Sequence, residues 1–124
     1  MRRALLTALL LSLWATLSAQ AQSQRWVPKQ VAELQTLDKV TARVGVLRAP
    51  LNEPITFGTL TITVRACHAR PADEVADAAA WLEITDSRQP SGSTPAFRGW
   101  VFAEAPGVNA MEHPVYDVRL LACR

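Results

Sequence analysis

The chain has 124 residues, of which 49% are hydrophobic, and its 13 basic and 11 acidic residues leave a formal net charge of +2. This length allows a single domain. The small net charge excludes the strongly basic surface with which proteins bind nucleic acid through its phosphates, so we expect no nucleic-acid partner.

Residues 1–21 have the features of a secretory signal peptide. Arg2 and Arg3 precede an apolar run over residues 4–17, and residues 19–21, Ala-Gln-Ala, form a cleavage site. The alternative is a membrane anchor, but the run is shorter than the roughly 20 residues that span a bilayer. We predict a signal-peptide helix, cleavage after residue 21, a periplasmic or secreted protein and no membrane span after cleavage. Without Arg2 and Arg3, the remaining 11 basic residues equal the 11 acidic residues.

Residues 22–30 are predicted to be a flexible N-terminal tail, because they are polar and contain Pro28. Trp26 is the exception, and it either folds back onto the domain or stays exposed as a contact. Residues 31–124 are predicted to form one domain. A chain of about 100 residues can bury a modest hydrophobic core.

The most regular strand pattern lies at residues 57–67, with the sequence FGTLTITVRAC. Leu60, Ile62 and Val64 alternate with threonine and arginine, which predicts a central strand with one buried face. Gly58 at its start suits a bend or a bulge.

Similar patterns recur along the rest of the chain. They predict further strands at residues 31–38, 40–47, 81–86, 97–102 and 115–123, and extended chain at residues 55–57 that leads into the central strand. Residues 31–38 also fit one face of a helix, and the connections at residues 69–80 and 105–114 each allow one helical turn. The pattern predicts an all-β fold, a small sandwich or barrel of five to seven short strands with one short helical turn.

The only two cysteines, Cys67 and Cys123, end the central strand and the final strand. Exported proteins fold in an oxidising compartment, so we predict a disulfide bond between them rather than two free thiols. The bond requires the two strand ends to be neighbours, with Cα atoms about 5.5 Å apart.

Three large aromatic residues, Trp81, Trp100 and Phe102, lie in predicted strands. The simpler interpretation is that a small core needs its largest side chains. The alternative is that they line a groove, since aromatic patches contribute to contacts with carbohydrates and proteins.

His113 is the best candidate for a metal ligand or general base, because Glu112, Tyr116 and Asp117 lie close to it in the sequence. If the disulfide joins neighbouring strands, His68 could approach His113. A Glu-His-Pro sequence before a strand more often caps a turn, however. No glycine-rich phosphate loop, metal-spaced cysteine pair or haem motif is present, so we predict no metal, no cofactor and no enzyme activity.

Four motifs in order resemble the DUF2155 family, exported alphaproteobacterial proteins of unknown function. They are LDKVTAR at residues 37–43, FGTLTITVRAC at 57–67, GWVFA at 99–103 and EHPVYDV at 112–118, before the last cysteine. The resemblance covers nearly all of the predicted domain. It carries over no activity, ligand or catalytic residue.

We therefore expect a periplasmic or secreted β-domain that binds or assists a protein of the cell envelope or inner membrane. The alternative is a small metal-binding protein or enzyme that uses His113, Glu112 and His68. The candidate binding residues are Trp81, Trp100, Phe102, His113, Glu112 and Asp117.

Overall fold

The computed structural model describes residues 25–124, so the predicted signal peptide lies outside the described residues. Eight β-strands form the regular structure of this part, which confirms the all-β prediction. They are β1 (Val27–Pro28), β2 (Val31–Asp38), β3 (Arg43–Pro50), β4 (Ile55–Phe57), β5 (Leu60–Ala69), β6 (Ala78–Asp86), β7 (Phe97–Phe102) and β8 (Tyr116–Cys123). The count exceeds the predicted five to seven because the two-residue β1 lies in the segment predicted to be a tail.

The strands form two antiparallel sheets. The five-stranded sheet has the order β1-β5-β6-β7, with β4 also pairing with β5, and the three-stranded sheet has the order β3-β2-β8. Side chains from both sheets form the core, and the largest fully buried ones are Leu34, Leu60, Ile62, Leu82, Ile84 and Leu120. The fold is thus a sandwich rather than a barrel.

Residues 25–124 contain no helix. Where the sequence allowed a helical turn, the chain forms single hydrogen-bonded turns. Glu74 N donates to Pro71 O at 3.0 Å, and Val108 N donates to Ala105 O at 3.1 Å. No helix in this part of the chain is long and apolar enough to cross a membrane.

The segment at Val31–Asp38 forms a strand, which resolves the choice between strand and helix. The strand predicted at residues 40–47 starts later, at Arg43. Asp38 Oδ1 accepts hydrogen bonds from Val40 N and Thr41 N at 2.9 and 3.1 Å. Aspartate commonly stabilises a turn in this way, so Val40 lies in the β2–β3 turn although its alternation with Ala42 and Val44 resembles a strand.

A one-residue bulge interrupts β5. The register with β6 shifts between Val64 and Ala66, which leaves Arg65 as an extra residue. A bulge changes which face the following side chains point to. Leu60, Ile62 and Val64 face the core before it, as predicted.

A second bulge interrupts β8. Glu33 pairs with Ala122 but Leu34 pairs with Leu120, so Leu121 is the extra residue. Leu121 is 38% exposed, whereas Leu120 is buried. As in β5, the bulge shifts the alternation of side chains by one residue. The residues after it therefore point to the face opposite to the one that a strict period of two predicts.

The disulfide bond between Cys67 and Cys123 is present, as predicted, with Cα atoms 5.6 Å apart. It joins β5 to β8, and therefore the five-stranded sheet to the three-stranded sheet. Both cysteines are buried in the core. The bond closes over 56 sequence positions, and a loop of that length stabilises the fold by about 4 kcal/mol in the chain-entropy description.

Candidate functional site

The outer face of the five-stranded sheet, which points away from the core, carries large aromatic side chains. In β6, Leu82 points into the core and Trp81 points outward. In β7, Val101 is buried, whereas Trp100 and Phe102 point outward. The three aromatic residues therefore lie outside the core, and the interpretation that they fill it is wrong.

Strand pairing brings these side chains together. Trp81 lies directly opposite Trp100, and Phe102 lies opposite Ala79. The rings of Trp81 and Trp100 make an edge contact with centroids 5.7 Å apart. His68 of β5 lies opposite Ala79, and its ring centroid is 6.1 Å from that of Trp100.

Trp26, just before β1, completes the cluster. The guanidinium group of Arg70 lies 4.0 Å from the centroid of the indole ring. This cation–π contact holds the indole against the sheet. A depression of about 400 Å³ lies between Trp26, His68, Ala79, Trp100 and Phe102. Ala79 leaves room between the larger side chains. We call Trp26, His68, Trp81, Trp100 and Phe102 the aromatic face.

A row of charged residues borders the aromatic face. Glu83 accepts hydrogen bonds from Arg65 Nε at 3.1 Å and Trp81 Nε1 at 3.4 Å. Arg98 Nε lies 3.7 Å from the same carboxylate. The hydrogen bond from Arg65 is the main cause that lowers the pKa of Glu83, with smaller contributions from Trp81 and Arg98. The border therefore holds two guanidinium groups against one carboxylate.

The aromatic face combines features found at protein contact sites. Trp100 is 39% exposed, and tryptophan exposed on a rigid strand offers a large contact area at a small entropic cost. Apolar side chains form the centre and charged side chains form the rim, which is the usual arrangement of an interface.

His113 is held in a different environment. Its Nε2 lies 2.8 Å from Asp86 Oδ2. Its Nδ1 accepts hydrogen bonds from Val115 N and Tyr116 N, both at 3.1 Å. Because Nδ1 accepts two bonds, Nε2 carries the proton and donates it to Asp86. Both ring nitrogens are occupied within the protein, and the imidazole caps the entry to β8.

This contact changes the pKa of the Asp86 carboxylate. The hydrogen bond from His113, followed by that from the backbone N–H of Arg88, lowers the pKa of Asp86 to about 2. The side chains of His113 and Asp86 are only 10% and 6% exposed. Asp86 at the end of β6 is thus tied to the loop before β8.

The other acidic candidates lie apart from this imidazole bond. Glu112 is exposed and lines a surface depression beside Asp86 and His113. Asp117 pairs with Leu37 in the three-stranded sheet. The imidazole therefore bonds to neither of the carboxylates that are close in sequence.

His68 and His113 do not approach each other, contrary to expectation. His68 pairs with Ala79 at one end of β6, and His113 bonds to Asp86 at the other end. Seven residues of extended strand separate these positions by roughly 20 Å. Within residues 25–124, no three His, Cys, Asp or Glu side chains could hold a metal ion together.

Two residues of these clusters were missed from the sequence. The sequence does not indicate where Trp26 packs, because it lies in a polar segment. The following Val27–Pro28 nevertheless forms β1 and pairs with β5. The sequence pattern marks Asp86 only as the end of a strand. It lies 27 positions from His113, and no local signal links the two.

Comparisons with known proteins reveal a family. The sequence model of a family described as "Uncharacterized protein conserved in bacteria (DUF2155)" matches residues 32–123. No curated protein and no solved structure matches the chain. The matched residues contain β3 to β8, all of β2 except Val31, and both cysteines.

Proposed function

The chain belongs to the DUF2155 family of uncharacterised bacterial proteins, and on that premise we propose that it is an exported, non-enzymatic binding or accessory domain of the cell envelope. Its N-terminal residues have the pattern of a signal peptide. The Cys67–Cys123 disulfide is compatible with an oxidising compartment, either the periplasm or the exterior.

The aromatic face is the observation on which the binding role depends. Trp100 and Phe102 point away from the core, and Trp26 folds back to enlarge the same surface. A protein partner fits this surface better than a small polar ligand, because the apolar centre is broad and shallow. The partner is a protein of the envelope or inner membrane.

Co-purification from native membranes tests this function. The protein and its Trp100→Ala/Phe102→Ala variant are used as baits, and bound proteins are identified by mass spectrometry. The matched control is Val108→Ala, which removes an exposed apolar side chain (71% exposed) from the β7–β8 loop. A specific partner should be retained by the wild type and the control and lost by the double variant.

Two results would contradict the proposal. A partner that binds equally well to the double variant would show that the aromatic face is not its contact. Specific binding of a purified envelope polysaccharide, lost in the same variant, would assign the face to carbohydrate instead.

Export is tested independently. N-terminal sequencing of periplasmic material should begin at Gln22. Recovery of the intact chain from Met1 would argue against cleavage. Elemental analysis of dialysed protein separates the binding role from the metal-dependent alternative, for which stoichiometric zinc or copper is required.

A further inference from the structure

The sheet edges differ in how they are protected. An edge strand presents unpaired backbone N–H and C=O groups, and proteins usually shorten, bend or cover such strands. The outer edge of the five-stranded sheet beyond β5 consists of the two-residue β1 and the three-residue β4. Both are too short to guide a long pairing.

The loop between β7 and β8 protects the opposite edge. Asn109 Nδ2 donates a hydrogen bond to Trp100 O of β7 at 2.9 Å. Gly99 permits this approach, because a Cβ at that position would lie 2.8 Å from Asn109 Nδ2. The same loop, through Pro106, Gly107 and Ala110, lies beside both β7 and β8.

The three-stranded sheet has two edge strands, β3 and β8. The strand β8 is bent by its bulge at Leu121, and the β7–β8 loop lies beside its residues 117–120, so β3 is the regular edge. It has eight residues and pairs with β2 without a bulge from Arg43 to Pro50. Among the described residues, no strand or loop hydrogen-bonds to its other edge. Val44 and Val46 on its outer face are 64% and 59% exposed. This edge is therefore long, regular and partly apolar.

The arginines of β3 form no ion pair with the carboxylates of the neighbouring strand. Arg43 lies opposite Asp38 and Arg48 lies opposite Glu33. Asp38 accepts bonds from the backbone of the β2–β3 turn, and Glu33 bonds to Arg124 Nε at 2.7 Å. Within residues 25–124, neither Arg43 nor Arg48 forms an ion pair.

A second copy of the chain is a poor occupant of this edge. Symmetric antiparallel pairing of β3 with itself about Val46 would place Arg48 of each copy opposite Val44 of the other, and Arg43 opposite Ala49. Such a pair brings no carboxylate to either arginine. The same arginines favour a strand with carboxylates opposite them.

We propose that β3 is a docking edge for an extended, acidic segment of a partner protein, which adds a fourth strand to the three-stranded sheet. Main-chain hydrogen bonds supply affinity in this mode, and alternate side chains supply specificity. In an antiparallel arrangement the segment reads carboxylate, any residue, apolar, any residue, apolar, carboxylate. The carboxylates then lie opposite Arg48 and Arg43, and the apolar residues lie opposite Val46 and Val44.

The test uses the peptide TETVTVET and its matched control TKTVTVKT, titrated into isotope-labelled protein and followed by NMR. The acidic peptide should shift the amides of β3 and slow their hydrogen exchange at millimolar concentration. The basic peptide should bind at least roughly tenfold more weakly. The Arg43→Gln/Arg48→Gln variant should lose this preference and retain its folded spectrum.

The glutamine variant separates loss of charge from loss of the fold, because its spectrum reports whether the domain is still folded. Absence of β3 shifts with TETVTVET would overturn the proposal, as would equal binding of both peptides. Shifts confined to the aromatic face would assign the peptide to the other sheet. Sedimentation as a dimer without peptide, together with slow hydrogen exchange of the β3 amides, would make a second copy the occupant.

Discussion

Cys67 and Cys123 face each other across the core because each follows a single-residue bulge in its own strand. Arg65 is the extra residue in β5 and Leu121 is the extra residue in β8. In both strands the buried hydrophobic residues before the bulge have even numbers, whereas the cysteine after it has an odd number. Without the bulges, a strict period of two would direct both sulfur atoms away from the core.

Loss of the disulfide should destabilise the domain. We expect Cys67→Ser and Cys123→Ser each to lower the free energy of unfolding by about 4 kcal/mol, because the unfolded chain regains a loop of 56 positions. The double variant should lose no more than either single variant, since both remove the same bond. Urea denaturation measures the loss, and additive losses would show that the cysteines act separately.

Gly58 should tolerate no side chain. Its φ is +57°, and a Cβ there would collide with the ring of Tyr116. We expect Gly58→Ala to lower the free energy of unfolding by about 1–3 kcal/mol. Thermal denaturation of the variant measures the effect.

Two other glycines separate the causes of this loss. Gly92 has a φ of +81° in open space, so Gly92→Ala should show the backbone effect alone, about 1 kcal/mol. Gly107 has neither a positive φ nor a neighbouring atom that a Cβ would meet. Gly107→Ala should therefore change the free energy of unfolding by less than about 0.5 kcal/mol. Equal losses in Gly58→Ala and Gly92→Ala would show that the Tyr116 contact is unimportant.

Asp86 should make the domain sensitive to acid. The hydrogen bond from His113 lowers the pKa of Asp86 from 3.8 to about 2. A lowered carboxyl pKa stabilises the fold above the unfolded value, and this stabilisation is lost as the pH falls from 3.8 towards 2. Asp86→Asn should therefore be less stable than the wild type at neutral pH, and the difference should shrink over this range.

Urea denaturation at a series of pH values measures that difference. Asp73→Asn is the control, because Asp73 is an exposed residue of the β5–β6 connection. A difference between Asp86→Asn and wild type that stays constant with pH would contradict the expected linkage.

Trp81 and Leu82 are sequence neighbours with different structural roles. Leu82 is 1% exposed in the core, so Leu82→Ala should cost about 2–5 kcal/mol. Trp81 lies on the aromatic face, where its edge contact with Trp100 is worth about 1 kcal/mol. We expect Trp81→Ala to unfold at a higher urea concentration than Leu82→Ala. The reverse order would place Trp81 among the residues that hold the core.

The alternation of side chains predicted most of the sandwich. Leu60, Ile62 and Val64 identify the buried face of β5 from their spacing alone, because one face packs on the core and the other does not. The bulges at Arg65 and Leu121 could not be predicted, since a bulge is defined by the partner strand. The disulfide was predicted from composition and compartment, not from which way the cysteines point.

The candidate sites were less predictable than the strands. Trp100 and Phe102 are as apolar as core residues, so their composition does not distinguish them from the core. They point outward because Val101, between them, points towards the second sheet. The contact between His113 and Asp86 joins segments that are distant in sequence. Local patterns instead suggested Glu112, which is exposed.

The contact of Asn109 with β7 also limits the assembly of this domain into fibres through the exposed β3. A chain of subunits needs two attachment points on each one, so that a donor edge meets a different acceptor edge. Among the described residues, β3 is the one long edge without a bulge, because the other edge of its sheet, β8, is bent at Leu121 and the Asn109 side chain occupies a main-chain acceptor of β7. In the language of polymer chemistry the subunit is monofunctional: pairing at β3 terminates after one addition, and fibres cannot propagate by that route.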